Sequence, residues 1–149
     1  SSVGYRPPGL RGVGIAMAAG IVLMAGLALI FYVALPALHL DMTQQANKLL
    51  ALPLSWRLIL VARGVVAEEL VYRGYAIERL QELTRSRAIA GIFSGAVFTF
   101  AHVATWGWAQ LLFAGFAAII LTLLYLWRRN LWVNMITHAV VDGVGVLAA

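Results

Sequence analysis

Six residues in this chain have the types and spacing to do chemistry: Glu68, Glu69 and Arg73 in one segment, His102 in a second, His138 and Asp142 in a third. Each stands in apolar sequence, where an ionisable group is costly and commonly marks function. Glu69 and Arg73 are four apart with the acid first, the favourable order for a helical ion pair. Glu68 lies about 100° around a helix from Glu69 and must look elsewhere for its partners. Asn134, His138 and Asp142 recur every four residues, a polar stripe on an otherwise apolar helix. Such a stripe needs partners inside a membrane. A carboxylate and two imidazoles around a shielded cavity can activate water directly. Glu68 would be the general base on a water also held by His102, with His138 donating to the oxyanion of a tetrahedral intermediate. The same three residues, Glu68, His102 and His138, are also a ligand set for zinc if one position is left open. Spacing alone leaves both routes standing, although the absence of HExxH argues against a zincin-type helix. His39, beside Asp41 at the end of an apolar run, reads as interfacial and solvated.

Only membrane helices could bring these side chains together. The chain has 149 residues, 62% of them hydrophobic and 11% charged, with a mean hydropathy of +0.88. A soluble domain is roughly half apolar and about a quarter charged, so nucleic-acid modules, secreted scaffolds and ordinary cytosolic enzymes are set aside. There are no cysteines, hence no disulfides or thiolate metal sites. The expected fold is all-α, a polytopic membrane helix bundle of about five transmembrane helices. It forms a single domain over residues 13–149, after an N-terminal cytoplasmic segment at residues 1–12. The first span covers residues 14–35, with Pro36 marking its end, and the second runs from Pro53 to about Ala76. Two more lie in residues 88–127, broken at residues 105–108, and a fifth in residues 130–149. The second is anomalous: Arg63, Glu68, Glu69 and Arg73 cost roughly 10 to 14 kcal/mol at the bilayer centre, and its apolar residues return roughly 2 to 5. Neighbouring helices must shield it.

The net charge of +5 sits beside apolar segments, which reads as topology rather than nucleic-acid binding. Arg6, Arg11, Arg79, Arg85, Arg87, Arg128 and Arg129 fall on one side of the expected bundle, with Lys48 alone on the other. The N-terminus is therefore expected in the cytoplasm and the C-terminus outside, in a membrane best assigned to a prokaryotic inner membrane. Depth is a further check. At about 1.5 Å per residue, His138 lies roughly 12 Å, Glu68 roughly 16 Å and His102 roughly 22 Å from their cytoplasmic ends. If residues 78–87 extend their helices beyond the bilayer, His102 comes level with the others. Gly91 and Gly95 form a GxxxG, a motif common in membrane helices and of little weight alone.

In order and kind these residues resemble the CPBP intramembrane proteases, which include type II CAAX prenyl endopeptidases and bacteriocin-processing relatives. Glu68 to Arg73 is similar to the family's EExxxR, Phe98 to His102 to its FxxxH, and His138 to Asp142 to its HxxxN/D, over residues 53–146. The resemblance implies peptide-bond hydrolysis within the membrane, on peptide or protein substrates that include prenylated CAAX-like or leader-peptide ones. Carried over, Glu68 and His102 would activate water, His138 would stabilise the oxyanion, and Glu69 with Arg73 would shape the site. Members are described both as glutamate-dependent and as metalloproteases, so the resemblance brings no cofactor with it and zinc stays an option. Where many relatives have Asn, Asp142 could donate only if protonated, and orienting His138 is its more natural task. Two other readings compete: a noncatalytic scaffold or bacteriocin-immunity protein, and an ion-coupled transporter using the same groups as a relay. The absence of a repeat counts against the transporter.

Overall fold

The computed structural model describes residues 4 and 6–147. Among them the fold is all-helical, with no strand. Six helices follow in order: α1 (Leu10–Ala37), α2 (Thr43–Leu50), α3 (Leu54–Thr84), α4 (Arg87–Trp106), α5 (Gln110–Arg128) and α6 (Leu131–Leu147). α1, α4 and α5 are each long and apolar enough to cross a membrane; α2 and α3, bent by 116° at their junction, make a fourth if taken as one span. α6, the fifth segment expected from the sequence, is described over 17 residues. The protein is an integral membrane protein, and large side chains such as Ile92, Leu123 and Trp127 face outward, as lipid permits.

Three features depart from the sequence reading. α1 ends at Ala37, next to Pro36 as expected, but a wide π-helical turn at Ile30–Ala34 that was not expected precedes its last residues. A proline ring crowds the carbonyl four residues earlier, here Tyr32, and an opened turn makes that room. α2 is an amphipathic helix in a stretch read as loop; the Asp41 carboxylate, exposed, accepts from both the amide and the hydroxyl of Thr43 at its start. These bonds hold Asp41 below the usual carboxylate range. Third, Arg63 is exposed on α3, so neighbouring helices do not shield it. A long guanidinium side chain lowers that cost by reaching toward the interface.

Two tight turns fix the depth of the polar residues. α3 runs on to Thr84, Arg85 takes a left-handed conformation (φ 56°), and the Ser86 hydroxyl caps α4 by accepting from Ile89 N at 3.3 Å. Glu68 and His102 lie at matched distances either side of this turn. At the α5–α6 turn Arg129 is also left-handed (φ 50°), and Asn130 Oδ1 accepts from Trp132 N at 3.0 Å. The two turns are tied together: Arg129 donates to Glu78 at 2.7 Å and to Gln81 at 3.0 Å, and the Tyr125 hydroxyl donates to Glu78 at 2.8 Å. The Tyr125 ring is buried in a cluster with Val65, Ile77, Leu131 and Met135. Arg6, Arg79, Arg85, Arg87, Arg128 and Arg129 thus gather at one end of the bundle, while Lys48 and the α4–α5 turn occupy the other. Gly107 of that turn lies against Gln45 of α2.

α3 is held between α4 and α6, and α5 closes on α4. In lipid the driving force between helices is close packing, which favours small residues. Gly91 shows why: a Cβ there would lie 3.0 Å from Leu126 Cδ1 and 3.1 Å from Thr122 Cγ2. A groove of about 790 Å³ runs along the same α4–α5 face, lined by Gly91, Gly95, Gly115 and apolar neighbours, and contains none of the six candidate residues.

Candidate active site

The six residues meet between α3, α4 and α6. Their positioning begins with the backbone of α3, which widens into a π-helical stretch from Glu69 to Ile77. Such turns are rare and recur at functional sites. One carbonyl of the stretch, that of Tyr72, accepts from the Ser94 hydroxyl of α4 at 2.6 Å, fixing the two helices against each other. Within this stretch Glu69 and Arg73 point inward and are wholly buried. Glu68, at the end of the regular helix, remains 29% exposed.

Glu69 is the hub of the buried layer. Its Oε1 accepts from Arg73 Nη1 at 2.9 Å and from His138 Nδ1 at 2.9 Å, and its Oε2 accepts from Asn134 Nδ2 at 3.2 Å. Asn134 also donates to the Leu121 carbonyl at 2.7 Å. The polar stripe of α6 therefore finds its partners on α3 and α5. Arg73 lies 4.5 Å from the centre of the Phe98 ring, which in turn meets Tyr72 edge-on and lies beside His102. The ion pair expected from the Glu69–Arg73 spacing forms, and it extends to His138, an interaction that sequence spacing does not reveal.

Glu68 faces the other way, toward both imidazoles. Its Oε1 lies 3.9 Å from His102 Nε2, and its Oε2 lies 3.9 Å from His138 Nε2. These gaps are too long for direct hydrogen bonds, yet a water about 2.8 Å from both atoms of either pair fits with an angle near 90°. His102 is 24% and His138 9% exposed, so the pocket is sheltered but open on the Glu68 side.

Partner identity sets the role of each ring nitrogen. His102 Nδ1 is 2.9 Å from the Phe98 carbonyl, which can only accept. Nδ1 must carry the hydrogen, leaving Nε2 as a lone-pair acceptor toward Glu68 in the neutral ring. His138 is placed differently. Its Nδ1 donates to Glu69, and its Nε2 faces carboxylate oxygens of Asp142 at 3.4 Å and Glu68 at 3.9 Å. Both nitrogens of His138 face acceptors, which suits a ring that donates at Nε2. Asp142, 40% exposed, lies beside His138 as its four-residue spacing predicts; it meets Nε2, while Glu69 occupies Nδ1.

Among the described residues, no three His, Cys, Asp or Glu side chains are arranged to hold a metal ion. The two imidazoles approach different oxygens of Glu68.

A model of the type II CAAX prenyl endopeptidase Rce1-like family matches residues 50–144. The chain belongs to this family. The matched stretch contains all six candidate residues, and it begins at the α2–α3 junction, leaving α1 outside. Comparisons with curated proteins and with solved structures found no match. Membership places the chain among peptidases that work in the membrane. Within the Rce1-like stretch, sequence reasoning missed the Glu78–Arg129–Tyr125 tie. Its only signal was an acid and an arginine in the charged stretches that end two apolar segments, which any positively charged loop also shows.

Proposed function

We propose that the protein is an intramembrane endopeptidase in which Glu68 activates a water for attack on a substrate peptide carbonyl. The observation carrying this reading is that the two oxygens of Glu68 each face an imidazole Nε2 at 3.9 Å. A water between Glu68 and His102 has both hydrogens directed at acceptors and a lone pair free for the carbonyl carbon. Glu68 takes a proton as the water's oxygen bonds to that carbon. The charge develops on the carbonyl oxygen, where His138 Nε2 can donate. Collapse of the tetrahedral intermediate breaks the C–N bond, and the proton held by Glu68 passes to the leaving amine. Glu69, Arg73 and Asn134 do not touch the reacting atoms in this scheme; they hold His138 Nδ1 and so its angle. Shelter from bulk water strengthens each of these electrostatic contributions.

Substrates are proposed to be membrane-embedded peptides, with prenylated CAAX-like peptides first on the grounds of family. The cytoplasmic N-terminus is likewise part of this proposal, supported by the arginines gathered at one end. The test is cleavage of matched prenylated and unprenylated peptides by wild type and His102→Ala in detergent, with and without chelator. Wild-type cleavage that survives chelation and falls about 10²- to 10⁴-fold in His102→Ala is expected. Loss on chelation with recovery on adding zinc would replace direct activation by a metal route, and unaltered turnover in His102→Ala would remove His102 from the mechanism.

A further inference from the structure

Away from the active site, the end of the bundle carries a second polar concavity, of about 370 Å³, lined by Gly4, Arg6, Arg128, Arg129 and Asn130. We propose that it binds the phosphate group of an anionic phospholipid.

The pocket is built rather than incidental. Gly4 and Arg6, ahead of α1, are tied as a strap to the α5–α6 turn: Leu131 N donates to the Gly4 carbonyl at 3.1 Å, and Asn130 Nδ2 donates to the Arg6 carbonyl at 3.1 Å. Gly4 has φ of +64°, and a Cβ there would fall 2.2 Å from the Arg129 carbonyl oxygen, so only glycine fits. The strap sets Arg6 across from Arg128.

The charges in it are unequally committed. Arg129 is engaged by Glu78 and Gln81. Glu78, the acid of that network, is not among the lining residues, and no carboxylate is. Arg6 and Arg128 make no ion pair among the described residues, and the Nε of Arg128 is buried without a hydrogen-bond partner. A buried guanidinium donor left unpaired is costly, and Arg128 lines the concavity, where a phosphate would meet a guanidinium with charge-assisted bonds that match its planar fork.

Position selects the source. Arg128 is the last residue of a membrane-length helix, and its guanidinium lies 5.2 Å from the Trp127 ring, which is 67% exposed. Tryptophan at a helix end marks the headgroup level. Basic pockets between helix ends at that level are suited to lipid headgroups.

The test uses the full chain, delipidated and titrated with phosphatidylglycerol or phosphatidylcholine in mixed micelles, with inorganic phosphate as a competing probe. Tighter binding of phosphatidylglycerol is expected, weakened about fivefold by Arg6→Gln and by Arg128→Gln. Gly4→Val should also weaken it by lifting the strap, while Arg11→Gln, a basic residue outside the pocket, should leave it unchanged. Equal binding of the two lipids, or equal losses in Arg11→Gln and Arg128→Gln, would overturn the pocket. Displacement by millimolar inorganic phosphate would overturn the lipid assignment in favour of a soluble anion.

Discussion

Glu68 and Glu69 are adjacent, yet one carboxylate is sealed among donors and the other looks into a pocket between two imidazoles. The difference predicts different failures on neutralisation. Glu69→Gln leaves the buried Arg73 without its counter-charge, and breaking such a pair costs about 3–5 kcal/mol. Glu68→Gln removes no direct hydrogen bond and should change stability by under about 1 kcal/mol. Thermal melting in one detergent compares them; similar destabilisation by both would mean that the two acids share one structural role. How far the sequence could disclose this differs by residue. The Glu69–Arg73 spacing and the Asn134–His138–Asp142 stripe are visible as helical periodicity. The bond from His138 to Glu69 is not, because it depends on the rotation imposed by the π-helical turn starting at Glu69. For Asp142 the four-residue spacing states adjacency to His138, which the structure shows, but not which ring nitrogen is met.

Helices place these groups through their turns as much as through their packing. Matched lengths around the Arg85–Ser86 turn bring Glu68 and His102 level, and the Arg129–Glu78 tie brings α6 to the same depth. Glu78→Ala takes away the counter-charge of Arg129, leaving it Gln81 alone, and orphans the Tyr125 hydroxyl. A loss of about 2–3 kcal/mol is expected from hydrogen bonds to charged groups. Turnover should fall as well, since a displacement near 1 Å at a reacting centre can cost about 10²-fold. Melting and cleavage by the same preparation check this; full activity at reduced stability would show that the tie does not set the depth of the site. At this scale the long apolar segments were legible from hydropathy. The extension of α3 to Thr84 was legible only as a condition for His102 to come level. α2 escaped because it lies in the polar stretch between the first two expected spans, and the turn at Ile30–Ala34 because Pro36 marks a disturbed helix without saying whether the preceding turn widens.

As a whole the molecule is asymmetric in charge, with the strap, the α3–α4 turn and the α5–α6 turn at one end and α2 with the α4–α5 turn at the other. The absence of native cysteine makes the orientation directly measurable. Single cysteines at Arg85 and Gln44 should react with a membrane-impermeant maleimide from opposite sides of sealed vesicles, Arg85 from the cytoplasmic face. Labelling of both from one side would contradict the arrangement of the bundle, and exchanged sides would invert its orientation. Composition alone announced a membrane protein, but the number of crossings was less legible, because α3 carries its charges within an apolar frame and joins α2 at a sharp bend. In the proposed mechanism Glu68 is the group that activates water. Cleavage of a membrane-embedded peptide by purified wild type and Glu68→Gln, matched for melting temperature, tests it most directly: a fall of at least about 10²-fold is expected, and equal cleavage would contradict it.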